Sequence, residues 1–253
     1  MKTQYCISIS LGILMAGSLL FSCKKEKTPP APPTPYGTVG LHLHTTINNV
    51  ELDSGGVAPM ANGRKIKLNL AQFYFSNVML KKADGTEVKA GDVQLKTIGE
   101  EVYVLGQVPA GNYTGISFQV GLDNATNQTM PSSCAASSVL SPKNPAMWFG
   151  SCSQGYMFMN VQGYADTTAA MNGNTDQAFT LQLGTASMLK TVVMPARSYS
   201  ILANQTYFIH AMADYGILIA GIDFKTQNMI TPFNNASAAA HAADNVGNMF
   251  MFE

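Results

Sequence analysis

The sequence predicts an all-β fold, a β-sandwich of roughly nine or ten strands with a short C-terminal helix. Three observations lead there. Apolar and polar residues alternate with period two through most of Gly37–Glu253. Turn-forming Asp-Gly, Pro and Asn residues break these runs at short intervals. Helical periodicity is confined to one alanine-rich stretch, SAAAHAADNVGNMFMF.

Residues 1–22 read as a lipoprotein signal peptide. Lys2 is followed by the apolar run ISISLGILMAGSLLF, too short to span a bilayer stably, and small Ser22 precedes Cys23, the expected site of cleavage and acylation. Residues 23–36 then form a Pro-rich tether, KKEKTPPAPPTPY after the lipidated cysteine. Its prolines fix φ and remove backbone donors, so an extended, solvated spacer of roughly 40 Å is expected. These features imply attachment to a membrane through lipid in the cell envelope, with the outer membrane as the expected location.

The third unit is the domain, residues 37–253. TVGLHLHTTI sets Val39, Leu41 and Leu43 on one face of a strand and His42 and His44 on the other. KIKLNL and QFYFSNVML continue as strands, the second apolar enough to be central, and Asp84-Gly85 supplies a turn. VYVLG and TGISFQVG, joined by VPAGNY, read as a hairpin, with Pro109 at one corner and Gly111 free to take a left-handed conformation. GYMFMNVQGYAD, AFTLQLG, LKTVVM, YSILA and QTYFIHAMADY complete the set. In the terminal stretch, Ala239, Ala242, Val246, Met249 and Phe250 recur at helical spacing, and the helix is expected to pack against the sheet, with an extended terminal MFMFE after Gly247 as the alternative.

Composition narrows the function. Four of the 15 basic residues and one of the 15 acidic residues precede Gly37, so the domain holds 11 basic and 14 acidic groups, a formal charge of −3. Nucleic acid, which demands clustered lysine and arginine, is thereby disfavoured. No G-x-S-x-G, H-E-x-x-H, P-loop or dinucleotide fingerprint is present, which argues against an enzyme. Cys6 leaves with the signal and Cys23 carries lipid, leaving Cys134 and Cys152; in an oxidising compartment a disulfide between them would close a loop of about 18 residues and stabilise by roughly 3 kcal/mol.

The H-x-H pair is the main chemical signal. His42 and His44 project from one strand face about 6.5–7 Å apart at the backbone, within reach of a single ion. Imidazole suits copper or zinc, and a thioether favours Cu(I), although an H-x-H on a polar face also occurs as a simply solvated pair. His210 falls in a later strand and His241 in the alanine-rich segment. The 15 methionines are weak evidence for copper, because thioethers fill cores equally well. Trp148, the single tryptophan, stands in NPAMWFGSCSQG, as an anchor for its loop or as part of a site.

LHLHTTI, KLNLAQFYFSNVMLKKADG, VPAGNYTGISFQVGLDNATN, PAMWFG followed by GYMFMNVQG, and AADNVGNMFMFE occur in an order that resembles the MbnP-like copper-binding proteins, in particular the lipoprotein branch found in Bacteroidetes. The resemblance implies a secreted β-sandwich that binds copper through histidines and a tryptophan oxidised to kynurenine by a di-haem partner related to cytochrome c peroxidases. It places Trp148 in the tryptophan-bearing segment and His44 at the end of the first strand. Where many relatives read H-L-G, this chain reads QLG, with Gln182 in place of a ligand. The expectation is therefore a non-catalytic copper capture or delivery protein, with His42, His44 and Trp148 converging and Met147 as a soft supplement. The alternative is a structural or adhesive surface lipoprotein that keeps the fold without the metal.

Overall fold

The structure, a computed structural model, describes residues 34–253. The expected signal peptide, Cys23 and all but the last three residues of the tether lie outside the described residues. Thr34–Glu253 forms one compact unit.

Fifteen strands are present among the described residues. In chain order they are β1 (Tyr36–Ile47), β2 (Val50–Glu51), β3 (Val57–Pro59), β4 (Lys65–Lys82), β5 (Glu87–Gly91), β6 (Gln94–Lys96), β7 (Val102–Pro109) and β8 (Gly111–Val120). The second half adds β9 (Met157–Ala165), β10 (Gln177–Gly184), β11 (Lys190–Val193), β12 (Tyr199–Ile201), β13 (Thr206–Asp214), β14 (Met229–Ile230) and β15 (Phe250–Phe252). The count exceeds the expected nine or ten because several strands have only two or three residues, too few for alternation to register. In the other direction, KIKLNL and QFYFSNVML merge into the single 18-residue β4.

The strands form two sheets. The smaller runs β15-β13-β1-β2, with β7 also paired to β1. The larger runs β11-β8-β4-β9-β10-β14, with β12 on β8 and with β3, β5 and β6 on β4. Apolar faces of both sheets meet in one core, to which β1 gives Leu41 and Leu43, β4 gives Phe73 and Phe75, and β10 gives Leu181 and Leu183. A second buried cluster, built on Tyr74, Leu140, Met147, Tyr156 and Phe158, lies on the opposite face of the larger sheet. Tyr74 sits between Phe73 and Phe75 along β4, so strand alternation sends it to that face.

The hairpin expected around VPAGNY is corrected. β7 pairs with β1 in the smaller sheet and β8 with β4 in the larger, so the chain crosses between sheets at Pro109–Gly111. The Tyr113 hydroxyl donates to the Pro109 carbonyl at 2.6 Å and braces this crossing. At the C-terminus the helix Ala236–Asn245 ends where the periodicity still ran on, and Phe250–Phe252 is strand, the extended alternative. Its buried Ala238, Ala239, Ala242 and Ala243 have side chains small enough to let the helix lie close to its neighbours. The two other α-helical turns are Asn124–Asn127 and Tyr215–Leu218. No described helix is long and apolar enough to cross a membrane.

Candidate metal centre

Alternation along β1 turns Leu41 and Leu43 into the core and leaves His42 and His44 on the outer face of the smaller sheet. The neighbouring strands supply the rest. Parallel pairing with β13 sets His42 opposite His210 and His44 opposite Met212. β15 runs antiparallel to β13, with Phe252 opposite Ala211, which brings Glu253 beside His210. On the other edge, the Leu43 N–H donates to the Glu101 carbonyl at 2.8 Å and fixes the corner that carries that carboxylate.

Glu51 arrives through a tight hairpin. Asn48 and Asn49 both take positive φ, 51° and 62°, as a type I′ turn requires and as asparagine tolerates. Their N–H groups donate to the Asp214 carboxylate at 3.0 and 3.2 Å, tying the turn to the end of β13. The chain then returns with Glu51 opposite Thr46.

Three imidazoles and three carboxylates thus meet. His44 Nδ1 lies 2.9 Å from Glu51 Oε1 and 3.1 Å from Glu101 Oε1, while its Nε2 lies 2.8 Å from Glu253 Oε1. His42 Nε2 is 3.4 Å from Glu101 Oε2, and His42 Nδ1 is 3.1 Å from His210 Nδ1. Glu253 Oε2 stands 3.4 Å from His210 Nδ1. The His42 and His44 ring centroids are 4.3 Å apart. Donor atoms of His42, His44 and Glu101 all fall within 4.8 Å of one another, so ligand bonds of about 2.0–2.2 Å to one ion need only small inward movements.

Electrostatics suit a cation. Partial burial alone would lower the His44 pKa, but the hydrogen bond to Glu51 and the charges of Glu101, Glu253 and Glu51 outweigh it and raise the value above 6.5. The hydrogen bond from His44 in turn holds Glu51 below the usual carboxylate value. The cluster is negative and recruits a proton where no stronger positive charge is at hand.

Behind the corner bearing Glu101 stands Lys96, fully buried. Its ammonium donates to Thr45 Oγ1 at 2.9 Å, to the Glu100 carbonyl at 2.8 Å and to the Thr97 carbonyl. Burial pushes its pKa down to about 8, with Glu101 and Glu100 acting in the opposite direction. The Tyr103 hydroxyl donates to the same Glu100 carbonyl at 2.6 Å. Two side chains therefore grip the residue next to Glu101.

Trp148 and Met147 do not join this group. Met147 is fully buried in the cluster on the far face of the larger sheet, and Trp148 packs against that cluster with its ring 4.7 Å from Tyr156. Both sheets and the core between them separate these residues from His42 and His44, so the expected convergence is corrected. Gln182, between the inward Leu181 and Leu183, also faces the Trp148 side. The expected disulfide is corrected too: Cys134 and Cys152 are free. The Cys134 thiol is turned toward the Tyr156 hydroxyl, 3.8 Å away, and Cys152 is exposed. Thiol titration of the denatured domain, purified without oxidant, is expected to find both; finding none would restore the disulfide.

Four members of the centre were not singled out from sequence: His210, Glu51, Glu101 and Glu253. The three glutamates carry no local motif. His210 shares with His42 a polar position in an alternating strand, a signal that marks a face without naming the neighbour.

Comparison with known proteins agrees with this architecture. The MbnP family model matches residues 36–236. MbnP from Methylosinus trichosporium has a similar solved structure, with a TM-score of 0.53 and 14% identity over 72% of this chain and 77% of that one, a likeness of fold. No curated protein matches the chain in sequence. A two-sheet sandwich and a family match across most of the chain lead to one assignment: the protein belongs to the MbnP family.

Proposed function

We propose that the protein is a non-catalytic metal-binding protein that captures or delivers copper, taken as Cu²⁺, at the His42–His44–Glu101 centre. The observation that carries this reading is the convergence of two imidazoles and a carboxylate on one strand-and-corner platform, with a further histidine and two glutamates beside them. Nitrogen and carboxylate oxygen suit a divalent first-row ion, and Cu²⁺ stands highest in the affinity order for such donors. Family membership supports a metal-related role. The lipobox-like Cys23 supports tethering at the outer membrane, and Trp148, partly exposed in its own cluster, is the residue that a di-haem oxidising partner would modify.

Copper titration of the metal-free protein at neutral pH tests the proposal, because protonated imidazole cannot coordinate. Saturable Cu²⁺ uptake that competes with Zn²⁺ is expected. Absence of saturable uptake of either ion would favour the structural or adhesive reading.

A further inference from the structure

We propose that this centre holds two metal ions, one on each side of the His42–His44 pair, with the imidazole of His44 bridging them. The inference rests on the metal-binding reading above. It comes from the way both rings are shared. His44 presents Nδ1 to Glu51 and Glu101, and Nε2 to Glu253. His42 presents Nε2 to Glu101 and Nδ1 to His210. Two donor sets result, one of Glu51, Glu101, His42 Nε2 and His44 Nδ1, the other of Glu253, His210 Nδ1 and His44 Nε2, with His42 serving the first ion alone as a neutral imidazole.

The first set has four donor residues and the second three, to which solvent can add a fourth, and one ion cannot reach opposite edges of an imidazole at once. Two ligand bonds of about 2.0–2.1 Å on either side of the ring place the ions about 6 Å apart. Bridging requires His44 to release its remaining ring proton to solvent as the second ion binds. Charge balance points the same way. Among the described residues no lysine or arginine forms an ion pair with the side-chain carboxylates of Glu51, Glu101 or Glu253; the nearest cations are Arg197, which donates to the Glu253 main-chain oxygen at 3.2 Å, and buried Lys96 behind Glu101. Two divalent ions neutralise three carboxylates and one imidazolate, whereas a single ion leaves the cluster negative.

The test is stoichiometry. The full protein, stripped of metal, is titrated with Zn²⁺ and separately with Cu²⁺ at neutral pH, and bound ions are counted by native mass spectrometry. Wild type is expected to saturate at two. His210→Ala and Glu253→Gln should each lower this to one, as should Glu101→Gln from the other side. His210 is half exposed, so its removal leaves the fold in place. Two Cu²⁺ ions bridged by one imidazolate should also couple, giving fewer than two spins by low-temperature paramagnetic resonance. Saturation at one ion, or an unchanged count of two in His210→Ala, would overturn the two-ion centre and leave the metal-binding reading standing. No bound ion in wild type would overturn both.

Discussion

Replacing His42 and His44 together by alanine is expected to weaken copper binding by at least about 100-fold while the domain stays folded. The affinity loss follows from removing first contacts to the ion, since even groups that only orient a ligand are worth about 10- to 100-fold. The fold survives because both rings lie on the outer face of the smaller sheet and leave the core leucines of β1 untouched. Stability without metal should depend on pH. A folded pKa for His44 above its unfolded value means that its stabilisation is fully present below about pH 6.5 and is lost as pH rises through the folded value. Glu51, with its pKa lowered, contributes above about pH 4.5 and loses that contribution as pH falls through its folded value. Urea unfolding of wild type and the double variant should therefore differ most between about pH 4.5 and 6.5 and converge as pH rises past the folded value of His44. Equal copper affinity in the two proteins would remove the histidines from the centre.

Lys96→Met is expected to lower unfolding free energy by about 2–4 kcal/mol, a larger stability effect than any change at the exposed ligands. The methionine fits the stem of the lysine but donates nothing, so the Thr97 and Glu100 carbonyls and the Thr45 hydroxyl lose a partner in a site without water access. The lost cost of burying an ammonium offsets part of this. Here too the sign of the pH effect follows from linkage. The folded pKa is about 8 against 10.5 for a free lysine, so unfolding takes up a proton between those values and wild-type stability from this group rises with pH across that window. The variant lacks the rise, and the gap between the two should widen from about pH 8 to 10 in urea melts. Copper affinity should fall as well, since the Glu100–Glu101 corner loses its grip. Unchanged melts and unchanged affinity would reduce Lys96 to a bystander.

The fold was legible in the sequence where side-chain period decided it. Leu41, Leu43, His42 and His44 fall on the faces that alternation assigns, and the alanine-rich segment does form a helix. The crossing at Pro109–Gly111 was not legible, because a proline, a glycine and two apolar flanks serve equally for a hairpin and for a change of sheet. Trp148 was misplaced for a related reason. Its loop precedes β9, yet nothing local says which side of the larger sheet the loop covers, and burial of Met147 and Tyr156 draws it to the face away from the histidines. Half of the candidate centre was hidden by topology: His210 reaches His42 only through a parallel register spanning 168 residues, which no local pattern encodes.

That register also sets an order of events. Parallel pairing of strands so far apart in sequence carries a heavy loop-closure cost, so β1 and β13 are expected to join late, after the local β8–β4 and β9–β10 ladders have formed. An ion that needs donors from both strands has no complete cage on the nascent chain. Metal added during refolding should leave the early phases untouched and act on the final one, as a staple that slows the reopening of the β1–β13 seam once it has closed.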